Sequence, residues 1–389
     1  MDVVRLNNST LALNPCELET TRASPLHRWT HFDGQVWPRG VLIYVITVLL
    51  TYGPLFAAAC VSGVLTASPS SHLRLTFLED WNIAFTFLVT VPVIVIFLVS
   101  DQCVLQSALR RVQETGALVI PALDAKKFAR VWSRRIGRAN AYTQIVTLIV
   151  SAILSAVTLR LYFVTRAEFW AAPSGSLRLV GVVYWYCITI LYFVIAYYCY
   201  RCIQQACLLR DLVHRSTISV RPFHPDGCGG LQPIGALGLR NQYTLTVLGL
   251  NIVIVAAINY TSLATAAAER QILIVVGIAV LIYVIVGPVV FMAPLLPFRD
   301  KMRETKSALM EEVGDRLRTE FDRIRLSLRT EAISEPDLAA LERLKKLGAM
   351  VEEVPVWPFD ARTLRKFGSA YMLPLAVSVA TKAATTFLL

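Results

Sequence analysis

The sequence predicts an all-α protein: a polytopic membrane bundle of about seven transmembrane helices with cytoplasmic helical extensions and a cytoplasmic helical hairpin. Three observations predict it. Long apolar runs occupy about 39–66, 81–100, 140–163, 179–200, 243–264, 272–297 and 367–389, each near the roughly 20 residues that a helix needs to cross hydrocarbon. The basic residues between these runs alternate by side. Hydrophobic residues make up 55% of the 389-residue chain and the mean hydropathy is +0.55, above the values of a soluble domain of this size.

The charge alternation sets an orientation. The stretches up to residue 39 and over 101–139, 201–242 and 298–366 hold 32 of the 38 Lys and Arg residues. The opposite side keeps Arg74, Arg160, Arg166, Arg178 and Arg270, and Lys382 falls inside the last span. Basic flanks remain in the cytoplasm, so the amino terminus is expected inside and the carboxyl terminus outside. A net charge of +11 would suggest nucleic acid in a soluble protein. Here it lies beside span ends, where topology and anionic lipid headgroups account for it, and no nucleic-acid partner is expected.

Taken in order, residues 1–38 form a cytoplasmic segment that contains Asn7, Asn8, Pro15, Glu17 and Glu19 and lacks a cleavable signal pattern, so the first span is its own insertion signal. Spans 1 and 2 cover 39–100. In the basic segment 101–139, Gln102 to Arg111 extends the second span, Gly116 and Pro121 break it, and Asp124 caps a helix bearing Lys126, Arg130, Arg134 and Arg138. Spans 3 and 4 cover 140–200, and a loop containing the string HPDGCGG fills 201–242. Spans 5 and 6 cover 243–297 and carry Asn251, Asn259, Gly287–Pro288 and Pro294, the polar groups and helix breaks that build transporter sites or bond neighbouring helices.

Over 298–366, Met310, Val313, Leu317, Phe321, Ile324 and Leu328 recur at helical spacing, and Leu338, Leu341, Leu344 and Leu347 mark a second helix opened by Ser334-Glu-Pro-Asp. These form the predicted cytoplasmic hairpin. Pro355-Val-Trp-Pro-Phe is an elbow, because two prolines forbid a continuous helix, and it leads into the last span at 367–389. Of eight cysteines, Cys60, Cys187 and Cys199 lie in or at the ends of spans and the rest on the cytoplasmic side, so no structural disulfide is expected. Thirty Arg against eight Lys, with abundant Ala, favours a bacterial inner membrane.

The densest polar chemistry lies between spans 4 and 5. His214, His224 and Cys228, with Asp211 and Asp226 as oxygen donors, supply zinc-ligand types without a standard spacing. Gly227, Gly229 and Gly230 supply the backbone freedom of an anion-binding nest, with Arg210, Arg215 and Arg221 nearby. The plain alternative is a Pro-Asp-Gly turn leading into span 5. The chain has no Walker loop, His-Glu-x-x-His, nucleophile elbow or paired Cys-x-x-Cys, so no enzyme activity is predicted and no cofactor is required.

The last span is rich in small and hydroxylated residues. Tyr371, Ser378, Lys382 and Thr385 follow one another at seven, four and three, and so share one helical face. A lysine in a span is costly against lipid. It is satisfied by lining a pore, or by snorkelling outward while the small residues pack tightly. The leading expectation is a homo-oligomeric channel whose last spans line the path, gated or assembled by the cytoplasmic helices. A non-conducting sensor or scaffold that binds a cytoplasmic ligand or protein is the rival, and a small-solute carrier the third reading.

Overall fold

The computed structural model describes residues 36–66, 76–119, 141–160, 170–171, 178–221, 224–262, 266–327 and 335–388. The N-terminal segment before residue 36 and the helix expected from Asp124 lie outside the described residues. Among the described residues the fold is all-helical apart from one two-residue strand pair. Its helices are α1 (Val36–Val61), α2 (Trp81–Glu114), α3 (Ala141–Arg160), α4 (Leu179–Arg215), α5 (Gln232–Ser262), α6 (Ala266–Met292), α7 (Leu296–Ser327), α8 (Glu335–Glu352) and α9 (Ala361–Leu388). Among the described residues α1, α2, α3 and α4 are each long and apolar enough to cross a membrane, and the α6–α7 pair, bent by 50° at Pro294, makes up to a fifth.

Named contacts fix the helix directions. The carboxyl end of α2 lies beside the amino end of α5 at Asp101 and Arg240, while Thr86 and Asn251 meet farther along, so α2 and α5 are antiparallel. Gly238 abuts Phe291, and Gly249 abuts Tyr283, which makes α5 and α6 antiparallel as well. Helices α5 and α9 run parallel: Gly235 abuts Pro358 of the elbow that leads into α9, and Gly249 abuts Pro374 within it. These glycines have no room for a side chain: a Cβ at Gly249 would stand 2.8 Å from both neighbours. Small residues thus permit the close helix approach that membrane bundles rely on.

Two apolar cores occupy opposite ends. At the basal end, marked by the carboxyl ends of α2 and α4, Leu109, Leu209, Leu212, Ile234, Phe291 and Phe298 form one buried cluster that continues onto Phe359 of the elbow. The strand pair closes this core, with β1 (Leu118–Val119) antiparallel to β2 (Thr217–Ile218) in register Leu118 to Ile218. At the other end Phe77, Trp170 and Tyr184 pack edge to face, with ring centroids 5.0 and 5.3 Å apart. Asp80 accepts from the Trp170 indole at 3.0 Å and caps the start of α2 through the Ile83 N–H, satisfying an orphan donor of the first turn.

Helix α7 packs alongside α8, and its Val313 and Ile324 are buried. Lys306 donates to the Glu352 and Val354 carbonyls at 2.6 and 3.1 Å, covering acceptors left open at the end of α8. Arg299 lies over the Trp357 ring at 4.5 Å. The base of α7 is therefore tied to the elbow.

Candidate functional site

Among the described residues four places concentrate polar chemistry, and they differ in how far it is already spent. The first is the turn into α5. After β2, the His224 carbonyl accepts from the Gly227 N–H at 3.0 Å, closing a four-residue turn. Gly227, Gly229 and Gly230 all have φ between 63° and 88°, a region that side chains disfavour. At Gly230 a Cβ would also lie 3.0 Å from Thr115 and Ala117. The N–H groups that this backbone turns inward are taken by the chain itself. Asp226 Oδ1 accepts from Cys228 and Gly230 at 2.9 and 3.1 Å, and Oδ2 from Gln232 at 3.3 Å. His224 Nδ1 stands 2.8 Å from Oδ1.

Burial pulls the Asp226 carboxyl upward, but the donors from Cys228, Gly230, His224 and Gln232 outweigh it and hold the group below its ordinary range. Burial, with Asp226 and Asp360 adding to it, pushes the Cys228 thiol up to about 12. Such a thiol is protonated at neutral pH and is a poor nucleophile. Of the candidate metal and anion ligands, the structure brings together His224, Asp226, Cys228 and the three glycines. Arg210, His214 and Arg215 are exposed on the last turns of α4, where Asp211 is partly covered, and the Arg221 guanidinium lies over Gly116. Among the described residues no three His, Cys, Asp or Glu side chains converge as metal ligands.

The second place is a lock between helices. Asp101 of α2 meets Arg240 of α5 at 3.3 Å and Arg201 of α4 at 3.4 Å, all three side chains at most 16% exposed. Arg240 also donates to the Phe97 carbonyl and Ser100 Oγ at 2.8 and 2.7 Å and lies over the Phe97 ring. Sequence reasoning missed this triad. A signal was present: Asp101, Arg201 and Arg240 each abut an apolar run on the same side of the predicted bilayer.

The third is a cavity of about 330 Å³ between α4 and the α5–α6 pair. Helices α4 and α5 meet at the basal end, where Asn241 donates to Gln205 at 3.1 Å and its carbonyl accepts from Tyr198 at 3.3 Å, and they separate above it. Ile188, Leu191, Leu248 and Ile282 supply apolar walls. At one end α2 widens into a π-turn over Thr86–Thr90, next to Pro92, which has no N–H to give the helical ladder. There Asn251 donates to Thr86 Oγ1 at 2.6 Å, and Thr86 donates to Asn82 at 3.3 Å. Thr158 of α3 bonds Tyr192 at 3.0 Å on another wall. Asn251 was legible as a polar residue in a span, whereas nothing in the sequence marks the void beside it.

The fourth is α9. Tyr371 stacks on Phe367 and Tyr283 and donates to the Val284 carbonyl at 2.9 Å, while Tyr283 donates to the Tyr371 carbonyl at 3.1 Å. It is thus engaged with α6. Ser378, on the same face one and a half to two turns beyond, is exposed, as are Ala376, Val379 and Ala380; the side chains of Lys382 and Thr385 lie outside the described set. Six rings run in sequence from the elbow to the cavity wall: Trp357, Phe359, Phe291, Phe367, Tyr371 and Tyr283, with successive centroids 4.2 to 5.7 Å apart. No protein-family model, curated protein or solved structure matches the chain.

Proposed function

We propose that this chain is a multi-pass protein of a bacterial inner membrane that assembles into a homo-oligomeric channel, with the outer part of α9 lining the path. In this reading α1 to α6 and α9 supply seven spans, the basic flanks keep the basal end and the α7–α8 hairpin in the cytoplasm, and anionic headgroups contact that end. The observation that carries the reading is the contrast along α9. Up to Pro374, itself buried, the helix is clamped by α5 and α6; past it, Ala376, Ser378, Val379 and Ala380 are exposed. A helix anchored at one end, with small exposed residues beyond Pro374 and a sequence rich in small and hydroxylated residues there, suits a surface shared among copies around a path. Lys382 and the following threonines would favour anions. The ring series from Trp357 to Tyr283 gives the hairpin and elbow a packed route to this helix.

The cavity favours a second reading, a non-conducting membrane sensor. Single-channel recording from purified protein in liposomes separates the two. Conductance whose reversal potential in a salt gradient changes sign in Lys382→Glu is the expected result. A silent wild type across voltage, pH and added metal overturns the channel and leaves the sensor.

A further inference from the structure

We propose that the cavity between α4 and the α5–α6 pair binds a small, uncharged, mainly apolar molecule bearing one hydroxyl or carbonyl, its polar group directed to the Thr86–Asn251 pair. Such binding does not depend on conduction by α9.

Three features of the cavity select the ligand class. Size comes first: about 330 Å³ is the liquid volume of roughly 11 water molecules at about 30 Å³ each, within the range of small-molecule sites. Charge is second. Among the described residues the lining contains no Asp, Glu, Lys, Arg or His, so a charged ligand would lose its hydration without a counter-ion. Third is the polar pair itself. A primary amide has two N–H donors and a carbonyl acceptor; Asn251 directs one N–H to Thr86 and retains capacity of both kinds for a ligand hydroxyl or carbonyl.

Depth distinguishes this occupant from a membrane lipid. Asn251 is eleven residues beyond Arg240 along α5, a rise of about 16 Å at roughly 1.5 Å per residue. Arg240, as a charge, belongs near the headgroups, which places the amide close to the middle of a hydrocarbon layer about 30 Å thick. A phospholipid tail has no polar atom at that depth. A free alcohol, phenol or ketone does, and a mid-membrane hydrogen-bonding pair beside uncharged, mainly apolar walls complements it.

The test uses full-length protein in phosphatidylcholine nanodiscs and a diazirine analogue of 1-decanol, with labelled peptides mapped by mass spectrometry. Competitors are 1-decanol, decane and decanoate, each corrected for its partitioning into empty nanodiscs. The expected result is labelling of the α4, α5 and α6 walls that 1-decanol competes at least tenfold better than decane or decanoate. Asn251→Leu should lower labelling at least tenfold, and Ala279→Trp, which fills the cavity, should abolish it. Equal competition by decane overturns the proposal in favour of unspecific apolar partitioning, and absence of labelled wall peptides overturns it outright. A phospholipid retained at one per chain in native mass spectra, and lost in Ala279→Trp, would instead assign the cavity to a lipid tail. The competitor series on wild-type protein decides the matter even where a variant fails to fold.

Discussion

The HPDGCGG turn and the cavity beside Asn251 invert the usual relation between polar density and availability. Seven consecutive residues of the turn include an imidazole, a carboxylate, a thiol and three conformationally free glycines. Yet the Asp226 carboxylate takes up three backbone donors and contacts the imidazole, and the thiol is buried. The cavity has few polar groups, but they border empty space. A site is a place where hydrogen-bonding capacity outlasts folding, and a residue string alone does not reveal how much remains. The Asp101 triad falls with the turn: its one carboxylate is held by two guanidinium groups.

The closed sites should therefore fail as folding units. Asp101→Ala leaves Arg201 and Arg240 facing each other with the carboxylate gone, and breaking a buried pair on one side costs about 3–5 kcal/mol. Thermal unfolding in detergent should show a larger loss than for any substitution at the turn or the cavity; a loss within error would mean that the triad is hydrated and open, like the cavity. Asp226→Ala removes the acceptor for Cys228, Gly230 and Gln232 together. Unmaking two part-buried hydrogen bonds and the exposed one to the first residue of α5 predicts about 2 kcal/mol in the same measurement, with Asp226→Asn intermediate.

How much of this was legible follows from period and satisfaction. Apolar runs mark α1 to α4 and the α6–α7 pair as long enough to cross a membrane, because a bilayer sets one length for each span. The elbow was visible in Pro355 and Pro358, since proline acts locally. The Asp226 nest was visible as a composition but not as an occupied one, because whether a carboxylate folds back onto its own glycines depends on tertiary placement against Thr115 and Val220. The clamp on Tyr371 was hidden for a related reason. Seven-residue spacing puts Tyr371 and Ser378 on one face, but only the packed neighbours show that α6 covers the first and leaves the second exposed.

Acid sharpens the contrast through Asp226. Its folded-state pKa is depressed, so the stability it contributes is fully present above the unfolded value of about 3.9 and is lost as pH falls through the lower folded value. The gap in unfolding temperature between wild type and Asp226→Asn should hold from pH 8 to 5 and close below about pH 4. A gap that persisted through the acid range would take the effect away from the carboxylate. Thiol reactivity gives a covalent reading of the same closure. With Cys228 buried and its thiol pushed up to about 12 and Cys207 exposed, iodoacetamide at pH 8 should modify Cys207 well before Cys228, as mass spectrometry of timed digests reports, because an accessible thiolate is the reacting form.

Changes at the cavity should have the smallest effect on folding. Asn251→Leu gives up one hydrogen bond to Thr86, which keeps Asn82 as a partner, and it adds apolar surface next to Leu248 and Ile282. One buried bond is worth about 1 kcal/mol and the added side chain offsets part of it, so unfolding should shift by about 1 kcal/mol or less. The same protein should lose its labelling by the decanol probe. Asp226→Ala should do the reverse, unfolding readily while its folded fraction labels as wild type does. A protein in which both substitutions lowered stability and labelling together would have a single cooperative site running from the turn to the cavity, and the distinction between spent and unspent polar groups would not hold for this fold.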